Sequence, residues 1–202
     1  MATEMVAPEL DAAQQPIPSY LIYETLNGRP LYRKGYKDVL ANRKTPGEIT
    51  GCRYLQAIIV SALYLYLGTQ TDRKKYWVVT NEPGLHIQLG DNLSNDIAFY
   101  LKQDVTVKGK FFDVAPKVVV EVDIKVDFEA FPAKAMDYVY EKTQAMLDFG
   151  TERVIWITTQ SRKVLVATQG ETWLTLNWDA TIPVLDDVTL TIADVLTEEG
   201  VI

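Results

Sequence analysis

Three segments of this chain carry carboxylates and lysines in places where they could do chemistry. Residues 117–125, Lys-Val-Val-Val-Glu-Val-Asp-Ile-Lys, read as a strand: valine dominates and Pro116 precedes the run. Alternation puts Val118, Val120, Val122 and Ile124 on one face, and Val119, Glu121, Asp123 and Lys125 on the other. Two carboxylates and an ammonium at the end of an apolar strand are costly to bury unless they pair or hold a metal; the plainer alternative is a wet strand end. Asp96 opens another strand after the polar stretch Leu93-Ser94-Asn95. Lys142 falls in the middle of the apolar stripe Ala135, Val139, Met146 and Phe149 of a helix predicted over 133–149 and closed by Gly150. There it either snorkels to water or aims its ammonium at the strand's carboxylates. A divalent ion such as Mg²⁺ takes one or two carboxylates, with water and substrate phosphate completing its shell. A nearby lysine can orient or deprotonate the attacking water, or neutralise phosphate charge.

The elements that must position these groups follow from periodicity. The central strand, the helix over 133–149 and the apolar run 153–158 form a βαβ unit, whose two strands should be parallel neighbours. Upstream, 76–80, 85–89 and 96–100 read as an antiparallel meander. An N-terminal hairpin is predicted across Asn27-Gly28, pairing 21–24 with 30–33. Thr45, Pro46 and Glu48 spell a helix start with a capping box. A wide-faced apolar helix over 52–67 ends at Gly68 and takes Cys52 as a small buried hydrophobe. Residues 162–168 and 171–176 form a closing hairpin with Trp173 and Trp178 at its edge, then a turn-rich connector at 183–188 and a last helix over 192–196. Residues 1–18 read as a loose tail and 19–202 as one domain. His86 alternates opposite Leu85, Ile87 and Leu89, as a solvated or hydrogen-bonded histidine would. The basic segment Arg33, Lys34, Lys37, Arg43 and Lys44 is a solvated surface or, with Tyr32 and Tyr36, an edge that touches phosphate.

Composition removes several function classes. With 202 residues and a net charge of -7, the overall field gives no help in approaching nucleic acid, so an enzyme acting on it needs local cations. One cysteine excludes an internal disulfide and a cysteine-rich zinc site, and one histidine gives little to a multi-histidine metal site or a serine triad. The longest apolar run, 55–67, is too short to span a bilayer, and the first residues lack a signal pattern. The expectation is a soluble cytoplasmic protein with no membrane partner.

The order Asn95-Asp96-Ile97-Ala98-Phe99, then Pro116 with Val118-Val119-Val120-Glu121-Val122, then Glu141-Lys142 eight residues before Gly150, then Val154-Ile155-Trp156-Ile157, resembles the Uma-type restriction endonuclease family of the PD-(D/E)XK nuclease superfamily. The resemblance covers roughly 20–176. It implies an α/β (α+β) fold with a restriction-endonuclease-like core, a mixed central sheet flanked by helices. It implies Asp96 and Glu121 as ligands of Mg²⁺ or Mn²⁺, Lys142 as an active-site lysine displaced onto the helix, and DNA as substrate. A homodimer is expected on superfamily precedent alone. The chain departs from the pattern twice. Asn95 stands where the family usually has proline, and Asp123-Ile124-Lys125 itself spells carboxylate-x-lysine. Asp123 thus joins the candidate ligands in support, and Lys125 competes with Lys142; the helical stripe favours Lys142. A second hypothesis is a nuclease-fold module without catalysis, serving nucleic-acid or protein binding.

Overall fold

The computed structural model describes residues 16–107, 111–129, 131 and 134–202. The expected tail up to residue 15, Gly109 in the connector before the central strand, and the first residue of the helix expected from 133 lie outside them.

The chain opens with the expected hairpin, β1 (Ile22–Leu26) and β2 (Arg29–Tyr32), turned by Asn27 and Gly28 at φ 52° and 71°. Positive φ at both turn residues matches the twist of the flanking strands and explains the Asn-Gly pair. A short helix, α1 (Tyr36–Leu40), is followed by a 3-10 turn at Pro46–Ile49 bearing the Thr45–Glu48 capping box, then by α2 (Tyr54–Gln70). Because α2 starts at Tyr54, Cys52 lies before the helix and is exposed, not buried as its apolar neighbours suggested.

The centre of the molecule is a six-stranded sheet. It is built from β3 (Tyr76–Thr80), β6 (Ile97–Leu101), β7 (Val118–Val122), β8 (Arg153–Thr158), β9 (Lys163–Thr168) and β10 (Leu174–Asn177), in the order β10-β9-β8-β7-β6-β3. Only β7 and β8 are parallel, joined by α3 (Ala135–Phe149) as the βαβ pattern requires. The meander is modified: β3 pairs directly with β6, and β4 (Gly84–Gln88) with β5 (Asp91–Ser94) forms a separate hairpin between them. The segment read as a connector at 183–188 is the turn of another hairpin, β11 (Thr181–Leu185) and β12 (Val188–Thr191), and α4 (Ile192–Glu198) closes the chain.

The sheet separates two cores. Val118, Val120 and Val122 of β7 face α2, α4 and the β11–β12 hairpin, while Val119 faces α3 and the two hairpins β1–β2 and β4–β5. All five residues of β7 are buried, Glu121 included. On α3 the buried positions are Tyr138, Val139, Lys142, Thr143, Met146 and Leu147, a stripe stepping by three and four. Tyr138 packs edge-on to Trp156 and Phe131, and the Trp156 indole N–H donates to Thr143 Oγ1 at 2.8 Å. These contacts fix the face that Lys142 presents. No helix among the described residues is long and apolar enough to cross a membrane.

Gly150 ends α3 at φ 115°, and its N–H donates to Leu147 O at 3.0 Å. A Cβ there would also meet Ala115 Cβ at 3.3 Å. Gly150→Ala is expected to destabilise the fold by about 1–2 kcal/mol, read by urea unfolding, because an L side chain disfavours this backbone region.

Candidate active site

The charged groups meet at the carboxyl end of β7, on the face covered by α3. Lys142 is 1% exposed. Its Nζ lies 3.0 Å from Glu121 Oε1, 3.0 Å from Glu24 Oε2, and donates to the backbone oxygen of Ser94 at 2.7 Å. Glu24 comes from β1 and is fixed in turn: Tyr138 Oη donates to its Oε1 at 2.6 Å and the Ser94 N–H to its Oε2 at 3.2 Å. One ammonium is thus held by two carboxylates and a carbonyl from β1, β5 and β7. A buried charge persists only with such partners.

Asp96 lies just before β6 and is also buried. Its Oδ2 accepts the Val122 N–H at 2.8 Å, and its Oδ1 is 2.5 Å from Lys125 Nζ. Lys125 reaches further to Glu82 Oε1 at 3.0 Å, and the Tyr23 hydroxyl donates to the same oxygen at 3.3 Å. Tyr23, Glu24, Glu82 and Ser94 are among the residues that line an open cavity of about 340 Å³.

Asp123 takes a different course. The alternation that aligned it with Glu121 stops at Val122, because Asp123 adopts φ 57° and the strand ends. Its carboxylate accepts the N–H and the hydroxyl of Thr159, at 2.8 and 2.6 Å, and so ties the end of β7 to the end of β8. The structure therefore brings Glu121 and Lys142 into contact, and Asp96 and Lys125 into contact beside them. The Asp123 carboxylate is engaged by Thr159.

Electrostatics divide the two lysines from Glu121. Burial pushes the Glu121 carboxyl up to about 8; Lys142 opposes this, while Asp96 and Glu24 add to it. Burial alone would lower the Lys142 ammonium, but Glu121 and Glu24 outweigh it and hold the group protonated above the ordinary lysine range. Burial would also lower Lys125, and Asp96, with Glu82 and Glu121, raises it instead. The Tyr23 hydroxyl is raised, by burial first and then by the carboxylates of Glu121, Glu24, Glu82 and Asp96.

The raised Glu121 carboxyl has a consequence for stability. Between the pKa of an unfolded glutamate and about 8, the folded chain binds more protons than the unfolded one. Stability from this group is complete below the unfolded value and is lost as pH rises toward 8, at about 1.4 kcal/mol for each unit of displacement. Urea unfolding with a chelator present is expected to show wild type losing more stability than Glu121→Gln between pH 5 and pH 8. Equal losses in the two proteins would contradict a carboxyl buried in this state.

Glu24 escaped the reading of the sequence, although a signal was there. Along β1 it shares a face with Leu26, and both are buried, so a carboxylate sits on an apolar face as Lys142 sits in an apolar stripe. Tyr138, Tyr23 and Glu82 carry no comparable signal; only the assembled fold brings them to the site. His86 lies outside the site, its Nδ1 2.9 Å from Asn92 Oδ1.

Whether these residues suit a divalent ion can be judged from the donors. Among the described residues no group of three or more His, Cys, Asp or Glu side chains is arranged to hold a metal. Mg²⁺ asks for less, since one or two carboxylates suffice when water and phosphate supply the rest. Glu121 Oε1 is buried and, although in ion-pair contact with Lys142, accepts no aligned hydrogen bond. Asp96, whose field reaches Glu121, has both oxygens engaged by the Val122 N–H and Lys125, so it would share such an ion only by releasing one of them.

No family model matches the chain, and no curated protein matches it. Among solved structures it is similar to the crystal structure of a "putative nuclease belonging to DUF820" from Anabaena variabilis ATCC 29413. The two share 15% identity over 86% of this chain and 89% of that one, with a TM-score of 0.65. The chain therefore has a nuclease-like α+β fold, a mixed central sheet flanked by helices.

Proposed function

We propose that this protein is a metal-dependent endonuclease that hydrolyses phosphodiester bonds in DNA, of the Uma type within the PD-(D/E)XK superfamily. The observation that supports it best is the convergence of Asp96, Glu121, Lys125 and Lys142 at the end of one buried strand. The likeness in fold to a protein described as a nuclease points the same way.

In this reading Glu121 and Asp96 hold Mg²⁺ or Mn²⁺, which would supply Lewis-acid polarisation of the phosphate and a more acidic water. Lys142, fully enclosed by Glu24 and Glu121, orients the Glu121 carboxylate from behind. Lys125 is less enclosed and lies on Asp96, so it is the lysine placed to meet an attacking water or a phosphate oxygen. Asp123 serves by holding β7 against β8 through Thr159. Incubation of single- and double-stranded DNA with the protein and Mg²⁺ or Mn²⁺ is the direct test. Intact substrates in every combination would reject the proposal.

A second reading, a nuclease-fold binding module, draws on Asp96, whose two oxygens are both engaged within the chain. Calorimetric titration with Mn²⁺ separates the two: heat of binding that is lost in Glu121→Gln supports the enzyme, and no heat supports the module.

A further inference from the structure

The structure sorts the basic segment after β2 into two kinds of cation. Lys37 is paired with Glu129, and Arg43 and Lys44 with Asp38. Among the described residues, Arg33, Lys34 and Arg53 have no carboxylate within ion-pair distance. These three surround the segment that leaves β7. The Lys34 N–H donates to Lys125 O at 3.1 Å and its ammonium to Ile124 O at 3.2 Å. Arg33 turns to the other side: its guanidinium carbon lies 5.1 Å from the centre of the Tyr23 ring, and Lys125 Nζ lies 5.9 Å from the same centre. Arg53 precedes α2, whose Gln56 donates to Val122 O at 2.5 Å, so the start of α2 is anchored at the end of β7. Lys34 and Arg53 are exposed.

We propose that Arg33, Lys34 and Arg53 form the clamp that grips the phosphate backbone of the nucleic-acid substrate beside the site. The inference rests on the nuclease reading and adds to it the residues that bind substrate. Two observations carry it. The first is that Arg33 and Lys34, unlike Lys37, Arg43 and Lys44 of the same segment, lack a carboxylate partner, as does Arg53 before α2. The second is like-charge crowding: burial first, and then Arg53, lowers the Lys34 ammonium, against Asp123 and Asp127. A phosphodiester between Lys34 and Arg53 relieves that repulsion and supplies the anion both lack. The clamp also answers how a chain of net charge -7 approaches a polyanion: the cations are gathered where the reacting phosphate must lie.

The test is fluorescence anisotropy of a labelled DNA duplex with Ca²⁺ in place of Mg²⁺, over a series of salt concentrations. Arg33→Ala, Lys34→Ala and Arg53→Ala are each expected to weaken binding and to lower the slope of log K against log salt by about 1. Lys37→Ala, which removes a cation already paired on the surface, is expected to leave the slope unchanged. Unchanged slopes in all three variants, or an equal change in Lys37→Ala, would overturn the clamp. If wild type still cleaves DNA in Mg²⁺ in that case, the clamp falls and the nuclease reading stands. A wild type that neither binds nor cleaves DNA removes both.

Discussion

Lys142→Met is expected to destabilise the protein by about 3–5 kcal/mol, measured by urea unfolding at pH 8. Methionine keeps most of the alkyl volume, so packing against Tyr138 and Trp156 changes little. What goes is the charge. Lys142 Nζ is the cation that lies 3.0 Å from both Glu24 and Glu121, and the whole group is buried. Removing it leaves two carboxylates facing each other in a medium that cannot solvate them, and the Ser94 carbonyl without its donor. The loss is expected to shrink at pH 5, where Glu121 is protonated in the fold. Adding Glu24→Gln and Glu121→Gln to Lys142→Met is expected to recover much of the stability, since the neutral triple set leaves no unpaired charge. A Lys142→Met protein as stable as wild type would mean that the ammonium reaches water by another path.

This buried cluster shows what was legible in the sequence. The inward course of Lys142 was readable because a lysine cannot sit mid-stripe on an amphipathic helix without a reason. The parallel pairing of β7 and β8 was readable because a strand, a helix and a strand allow little else. Glu24 obeyed the same logic as Lys142, but a five-residue strand offers too short a pattern for one inward carboxylate to stand out. Asp123 leaves the face it was expected to share with Glu121 because alternation carries no mark of where a strand stops; positive φ at a residue other than glycine is set by what the side chain can bond, here Thr159. The β11–β12 hairpin was hidden by Pro183 and the paired aspartates, which read as a connector although Pro183 sits in a two-stranded sheet with no further neighbour. Between Lys125 and Lys142 the helical stripe favoured Lys142, but a stripe shows only that a side chain turns inward. How far each ammonium is enclosed, Lys142 more than Lys125, is a property of the assembled site.

Glu121→Gln is expected to lower DNA cleavage by about 10²–10³-fold in Mg²⁺ while leaving the fold intact, as read by single-turnover cleavage beside a thermal melt. The amide preserves shape, and no new charge is buried. It removes a carboxyl that an ion would have to hold deprotonated against its raised pKa of about 8, and whose Oε1 has no aligned hydrogen bond, and with it the means of holding that ion against a phosphate. Lys125→Met should act differently. That side chain keeps some exposure where it meets Asp96, so its loss should slow cleavage while metal binding, followed by calorimetry, persists. Lys142→Arg keeps the charge but enlarges a fully enclosed head group, and should cost more in stability than in intrinsic cleavage by the folded fraction. If Lys142→Arg abolished cleavage in a protein that melts like wild type, and Lys125→Met left it untouched, the roles assigned to the two lysines would have to be exchanged.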